Sequence, residues 1–361
     1  MERIKAWIKL ISAPDVGNTL AIRLIKILGE PEKFLKNNLP GLDEINFLTP
    51  AARTYLKKDL DPENWPGIAD LIEQLQIGFI TYFDDNYPVL LKNIFDPPLF
   101  LFYRGNPQNL SSSRCLAVVG TRRPSNYGRI MTGSIVRELC QAGFTIVSGL
   151  ADGIDSYAHQ AALESGGLTM AVMATGVDRV YPHRNRGLAA KIVEQGLLMS
   201  EYLPGADAER WNFPARNRVI SGICSGCFVV EGAAESGALL TAKFALDQNR
   251  NLYALPGDVN RPQAEGPNLL LKMGAKPVTS AADILEDYDL KLVQENVNTP
   301  LLSEQERKVY EIIVRNKPEI SFDQLLIESH IAINHLSSVI LSLELKSMIR
   351  KIPGNRIAAN I

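Results

Sequence analysis

Cys115-Leu116-Ala117-Val118-Val119-Gly120-Thr121-Arg122-Arg123 decides the fold: five apolar residues of strand length stop at a glycine, and two arginines follow. Residues 145–149, 169–176, 197–202, 227–232 and 251–257 are further apolar runs, and five of the six runs end in glycine. Longer segments with helical spacing separate them. This alternation predicts βαβ units, hence an α/β core with a parallel sheet and helices on both faces. In such folds ligands bind beyond the carboxyl ends of the strands, where the glycines fall here. Residues 277–279 and a helix over 281–285 close the core.

Working outward, apolar runs at 79–83 and 99–103, separated by a Pro-containing loop, read as strands leading into the core, whose bounds are set at 79–290. Residues 1–78 read as helical. Ile4, Trp7, Ile8 and Ile11 have helical spacing, a turn follows at 14–17, and a second amphipathic helix runs over 18–28. Helix, Gly-containing turn, helix describes a small SAM/helix-hairpin-helix-like module. Its turn amides can hold nucleic-acid backbone, or the module can serve packing alone. A polar linker is expected at 291–300. Residues 301–361 form a separate unit, with helices near 303–316, from 321, and at 334–347. Ser303 and Glu306 make a capping box for the first, and a hairpin with a Gly354-Asn355 turn follows the third. That order predicts a winged helix.

The composition is that of an ordinary globular chain. It has 361 residues, 46% of them hydrophobic and 22% charged, with a formal net charge of −2. A near-neutral surface excludes a protein coated in basic charge, so any anion site must come from local placement. Placement is indeed uneven. From Arg114 to Arg261 there are thirteen arginines and two lysines, against eight and fifteen elsewhere. Arginine offers a planar fork that matches phosphate or carboxylate, whereas lysine is a general solubilising charge. No run approaches the about 20 apolar residues of a membrane span, and residues 1–7 do not open a signal peptide. Four cysteines in a chain this long suit a reducing cytoplasm.

The strand ends carry the chemistry. After the first run, Gly120 lets a ligand approach the backbone, a helix offers its amide N-terminus, and Arg122 and Arg123 add charge. No G-x-G-x-x-G is present, so the dinucleotide fingerprint is missing and no cofactor is implied. Arg122 can instead pair with a carboxylate such as Asp152. After Gly149, Asp155 and His159 lie four apart on one helical face, either an acid/base pair or a capping carboxylate and an internal histidine. After the fourth run, Trp211 and Phe213 are interleaved with Arg216 and Arg218. Rings for bases and guanidiniums for phosphates suit a single strand. Arg216 and Arg218 cannot share a helical face, so one can meet ligand and the other an internal carboxylate. Ser236-Gly237 opens a helix and makes another anion cradle, with Lys243 two turns in. Cys224-Ser225-Gly226-Cys227 stands alone, without the second ligand pair that zinc needs.

In this order, these blocks resemble the DNA-processing protein A family (DprA, also called Smf). The residues that carry the likeness are Tyr87-Pro88, Asp96-Pro97-Pro98, Gly120-Thr121-Arg122, Ser148-Gly149-Leu150-Ala151 with Gly153-Ile154-Asp155 and Ala158-His159. They continue through Thr175-Gly176, Asp178, Tyr181-Pro182, Asn185, Phe213-Pro214-Ala215-Arg216-Asn217-Arg218, Val230-Glu231-Gly232, Ser236-Gly237, Thr241-Ala242, Pro256-Gly257, and Gly266, Asn268 and Gly274-Ala275. Ala174 and Ala264 depart from a frequent glycine and serine, so the loop around Arg261 is not carried over. The resemblance implies an extended Rossmann-like core that binds single-stranded DNA without catalysis. It also implies homodimerisation and loading of the recombinase RecA during natural transformation. The motif arginine becomes Arg122, with Arg216, Arg218 and Lys243 as further transfers. The candidate DNA contacts are therefore Gly120, Thr121, Arg122, Arg123, Gly149, Trp211, Phe213, Arg216, Arg218, Ser236, Gly237 and Lys243.

Two other readings stand beside it. A nucleotide-cleaving phosphoribohydrolase would use a strand-end glutamate, Glu231 or Glu235, although the Pro-Gly-Gly-x-Gly-Thr signature is absent. A transcription regulator would act through residues 301–361, whose expected recognition helix carries Lys346 as its single cation.

Overall fold

The computed structural model describes residues 1–29, 31–32, 41–58, 61–112, 114–290, 302–316, 318–346 and 348–359. The linker expected at 291–300 lies outside them, as do residue 301 and Ser347. The chain divides into two compact units, Met1–Leu292 and Val293–Ile361.

In the larger unit the chain begins with helices α1 (Glu2–Ile11), α2 (Asn18–Leu28), α3 (Pro50–Lys57) and α4 (Trp65–Gln74). Strand β1 (Gly78–Thr81), the short helix α5 (Val89–Lys92) and β2 (Phe100–Gly105) follow. Six strand-to-helix repeats then run as β3 (Cys115–Val119), α6 (Asn126–Gln141), β4 (Thr145–Ser148), α7 (Ile154–Glu164), β5 (Thr169–Val172) and α8 (Arg186–Gln195). They continue through β6 (Leu197–Ser200), α9 (Asn212–Ile223), β7 (Gly226–Val229), α10 (Gly237–Asp247), β8 (Asn251–Ala254) and α11 (Glu265–Lys272). The two-residue β9 (Lys276–Pro277) and α12 (Ala281–Leu285) close the unit.

The sheet order is β1-β2-β6-β5-β4-β3-β7-β8-β9. Strands β3 to β9 are parallel. The runs at 79–83 and 99–103 do more than lead into the sheet: β1 and β2 pair with each other and β2 pairs with β6, all antiparallel, which makes the sheet mixed. Side-chain alternation along β3 defines two faces. Cys115, Ala117 and Val119 pack with residues of α9, α10 and α11, whereas Leu116 and Val118 pack with those of α6, α7 and α12. The core is thus α/β with helices on both faces.

Helices α1 and α2 occupy the spans their apolar spacing predicts. They share a core with the sheet edge: Trp7, Ile8 and Leu24 belong to one cluster with Phe100 and Phe102. The first residue of α2 is part of this seam, since the Leu99 amide donates to Asn18 Oδ1 at 3.2 Å.

The smaller unit holds α13 (Glu304–Arg315), β10 (Ile320–Ser321), α14 (Phe322–Ser329), α15 (Ile333–Leu345) and the hairpin β11 (Ile349–Ile352) and β12 (Arg356–Ala359). The capping box at Ser303 and Glu306 is formed. The added strand β10 pairs with β12 and completes a three-stranded sheet.

Candidate nucleic-acid interface

The chain lays down β3 to β6 in one direction, then returns to place β7 on the other side of β3. The reversal leaves a crevice at the carboxyl ends of β3 and β7, the position where open α/β sheets bind ligands. A cleft of about 430 Å³ opens there. Its walls are the loop after β3, the start of α7, one face of α9 from Phe213 to Ile220, and the start of α10. Eight of the twelve candidates line it: Gly120, Thr121, Arg122, Arg123, Phe213, Arg216, Ser236 and Gly237. Gly149, Trp211, Arg218 and Lys243 do not.

The three arginines expected to act alike have different surroundings. Arg122 is exposed, and its guanidinium lies over the Phe213 ring at 5.7 Å from the centroid. It makes no hydrogen bond or ion pair with any described residue. Asp152, the carboxylate weighed for it, is instead paired with Arg184 through two bonds. Arg216 is 5% exposed. Its Nη1 donates to the carbonyls of Gly149 at 2.7 Å and Val172 at 2.5 Å, and its Nε donates to Asn217 Oδ1 at 3.1 Å. The guanidinium ties the ends of β4 and β5 to α9. Arg218 lies on another face of α9 and meets the largely buried Glu201 carboxylate at 2.6 Å and the partly exposed Asp96 carboxylate at 3.1 Å. Of the two, Arg218 is thus the one that takes an internal carboxylate, Glu201, and it lies outside the cleft.

Two glycines serve packing. A Cβ on Gly120 would sit 2.6 Å from Ile154 Cγ1 and 2.9 Å from the Glu231 carbonyl oxygen, so protein fills the space expected for a ligand. A Cβ on Gly149 would lie 2.5 Å from Arg216 Cζ, so the absent side chain makes room for that guanidinium. Gly237 differs: nothing lies within 4 Å of such a Cβ. It opens α10, an eleven-residue helix whose N-terminal amides face the cleft where a dipole favours an anion. Lys243 is exposed farther along that helix.

Phe213 also packs edge-on against Tyr181, with centroids 5.5 Å apart. Tyr181, Phe213 and Arg122 thus form a row of two rings and a cation along the rim. Trp211, at the start of α9, is 70% exposed. A second guanidinium–ring pair lies beyond Arg122, where Arg129 stands over Tyr157 at 5.8 Å. Tyr157, Arg129 and Tyr181 are not among the twelve candidate contacts. The available signal was their position: each comes soon after a strand end, Arg129 and Tyr157 in the first turn of a helix.

The acid/base alternatives are occupied structurally. Asp155 accepts from the Gly149 amide at 3.1 Å and the Ala151 amide at 3.4 Å, at the start of α7. Burial pushes its carboxyl up, and Arg216 opposes that. His159 is fully buried, with Nδ1 2.7 Å from Thr169 Oγ1, and burial holds its pKa down at about 3. This is the capping carboxylate and internal histidine of the two readings. Glu231 has both oxygens engaged by Ser125, through the amide at 2.8 Å and the hydroxyl at 2.5 Å. Cys224 and Cys227 are buried free thiols, and burial pushes Cys227 up to about 12. Among the described residues no group of His, Cys, Asp and Glu is arranged to hold a metal, and no single helix is long and apolar enough to cross a membrane.

The family described as DNA recombination-mediator protein A matches residues 78–289. The chain belongs to that family. It is 40% identical over 229 residues to the DNA processing protein DprA of Bacillus subtilis, covering 63% of this chain and 77% of that protein. It is 34% identical over 321 residues to protein Smf of Synechocystis, covering 79% and 80%. The fold matches the crystal structure of DprA from Streptococcus pneumoniae with a TM-score of 0.69 and 33% identity, over 81% of this chain and 99% of that one. DNA processing protein A of Helicobacter pylori, whose structure was described for its single-stranded DNA binding mode, matches at 0.55 with 28% identity, over 59% and 96%. The family span contains the whole switch-point cleft.

Proposed function

We propose that this chain binds single-stranded DNA at the switch-point cleft, acts without catalysing a reaction on it, and passes the strand to the recombinase RecA as a homodimer in the cytoplasm. The observation that carries this reading is the row of Tyr181, Phe213 and Arg122. Arg122 is a cation without an acceptor among the described residues, set over a ring at the mouth of a cleft. Unpaired bases stack on rings while guanidiniums track phosphates; a duplex keeps its base faces stacked inside. The single-stranded DNA binding of the H. pylori relative supports the same ligand. RecA loading and dimerisation rest on family membership. Glu231, whose oxygens are both held by Ser125, does not favour a nucleotide-cleaving enzyme.

The unit Val293–Ile361 is read as a winged helix with an auxiliary, protein-docking role. Around the expected recognition helix and the hairpin, Lys346 is paired with Glu306, Lys351 with Glu344 and Arg356 with Glu319, and Arg350 is the one cation there without an ion pair among the described residues. That leaves little charge for a duplex backbone. The helices of residues 1–78 are read as a packing module, since the start of α2 bonds to Leu99 beside the sheet edge and both helices share a core with it.

Salt dependence tests the cleft. Each phosphate contact to a single strand contributes about −0.7 to the log–log slope of affinity against salt. Arg122→Ala is expected to weaken oligothymidine binding and flatten the slope by about that amount. An unchanged slope would remove Arg122 from the site.

A further inference from the structure

A second depression, of about 490 Å³, shares Arg122 and Arg123 with the switch-point cleft as a common wall. Its far side is built from the first turns of α6 and α7, which contribute Arg129 and Tyr157. We infer that Tyr157, flanked by Arg129, is a second base-stacking station, and that a bound single strand crosses the Arg122–Arg123 ridge to reach it. This rests on the single-strand reading of the cleft and extends its path.

Three observations carry it. First, the geometry of the cleft is repeated. Arg129 lies 5.8 Å from the Tyr157 centroid, as Arg122 lies 5.7 Å from that of Phe213. Second, the charge is unspent. Arg122, Arg123 and Arg129 make no hydrogen bond through their guanidiniums and no ion pair with any described residue, although the chain has more acidic than basic side chains. The sole carboxylate lining the depression, Asp152, is taken by Arg184. Third, the frame is fixed before any ligand arrives. Ser156 Oγ donates to the Ala151 carbonyl at 2.5 Å, and Asn185 Nδ2 donates to the Leu150 carbonyl at 2.9 Å and Ser156 Oγ at 3.0 Å. These bonds anchor the turn that presents Tyr157. An isolated anion would need only the charges; a ring beside them, continuous with a first ring-and-guanidinium station, matches a polymer that alternates phosphate and base.

The experiment is fluorescence anisotropy of the full chain with labelled oligothymidines from about 4 to about 20 nucleotides, the range that single-strand grooves engage. Wild type, Tyr157→Ala, Tyr157→Phe, Arg129→Gln and Arg122→Ala are compared. Wild-type affinity is expected to rise with length beyond the oligomer that fills the cleft. Tyr157→Ala loses at least about fivefold on long oligomers and nothing on the shortest, while Tyr157→Phe keeps the gain. Arg129→Gln flattens the salt slope by about 0.7 on long oligomers alone. Equal loss at every length in Tyr157→Ala, or an unchanged length dependence in that variant, overturns the second station while leaving an Arg122-dependent cleft intact. Absence of wild-type binding at every length overturns the single-strand reading, and this inference with it.

Discussion

At the scale of single residues, the arginines show how identical side chains acquire different work. Arg122 ends in solvent over a ring, Arg216 ends on buried carbonyl oxygens, and Arg218 ends on two carboxylates. Arg216→Lys keeps a charge but gives up the planar fork that reaches Gly149 and Asn217 together. It is expected to lower stability by about 1–3 kcal/mol in urea unfolding. Gly149→Ala, which drives a methyl group against the same guanidinium, is expected to cost about 1–3 kcal/mol. Arg122→Ala removes an exposed guanidinium whose one contact named above is the Phe213 ring, and it is expected to cost no more than about 1 kcal/mol. The arginine excess was legible in the sequence and located the site. Its division into ligand-facing and structural members was not. Whether a guanidinium meets water or a carbonyl depends on strand ends at 149 and 172, far along the chain from 216.

At the scale of elements, local pattern was a good guide where neighbours along the chain decide the structure. Apolar spacing placed α1 and α2, and the six apolar runs, five of which stop at glycine, placed β3 to β8. The antiparallel attachment of β1 and β2 was not legible, because hydrogen bonding of β2 to β6 joins segments about a hundred residues apart and leaves no periodic trace. The helix α7 carries a consequence of burial. His159 titrates near 3 in the folded chain and near 6.5 when unfolded. Between those values the unfolded state binds the extra proton, so folding stability is present above about pH 6.5 and falls as the pH drops below it. The slope is at most about 1.4 kcal/mol per pH unit for one group. His159→Gln, which removes the titrating group, is expected to flatten that part of the stability profile in denaturant titrations at several pH values.

At the scale of the whole molecule, two compact units have separate acid responses. In the unit Val293–Ile361, Glu306 accepts from Lys346, Ser342 and the Ser303 amide, which hold its carboxyl down at about 2 against an ordinary 4.5. This stability is present above about pH 4.5 and is lost as the pH falls toward 2. Glu306→Ala is expected to cost that unit about 1–2 kcal/mol and to leave the unfolding of Met1–Leu292 unchanged, as read by hydrogen exchange on the full chain. In the larger unit, one reversal of strand order places a cleft between β3 and β7, and the loops there collect cations and rings from segments spread over more than a hundred residues. That gathering gives a chain of net charge −2 a local site for a polyanion. The most direct measurement is competition between an oligothymidine and a duplex of equal length for the full chain at fixed salt, with Arg122→Ala alongside. The single strand should displace the duplex by tenfold or more in wild type, and the advantage should shrink in Arg122→Ala. Equal affinity for both, unaltered by Arg122→Ala, would contradict a single-strand site at the switch point.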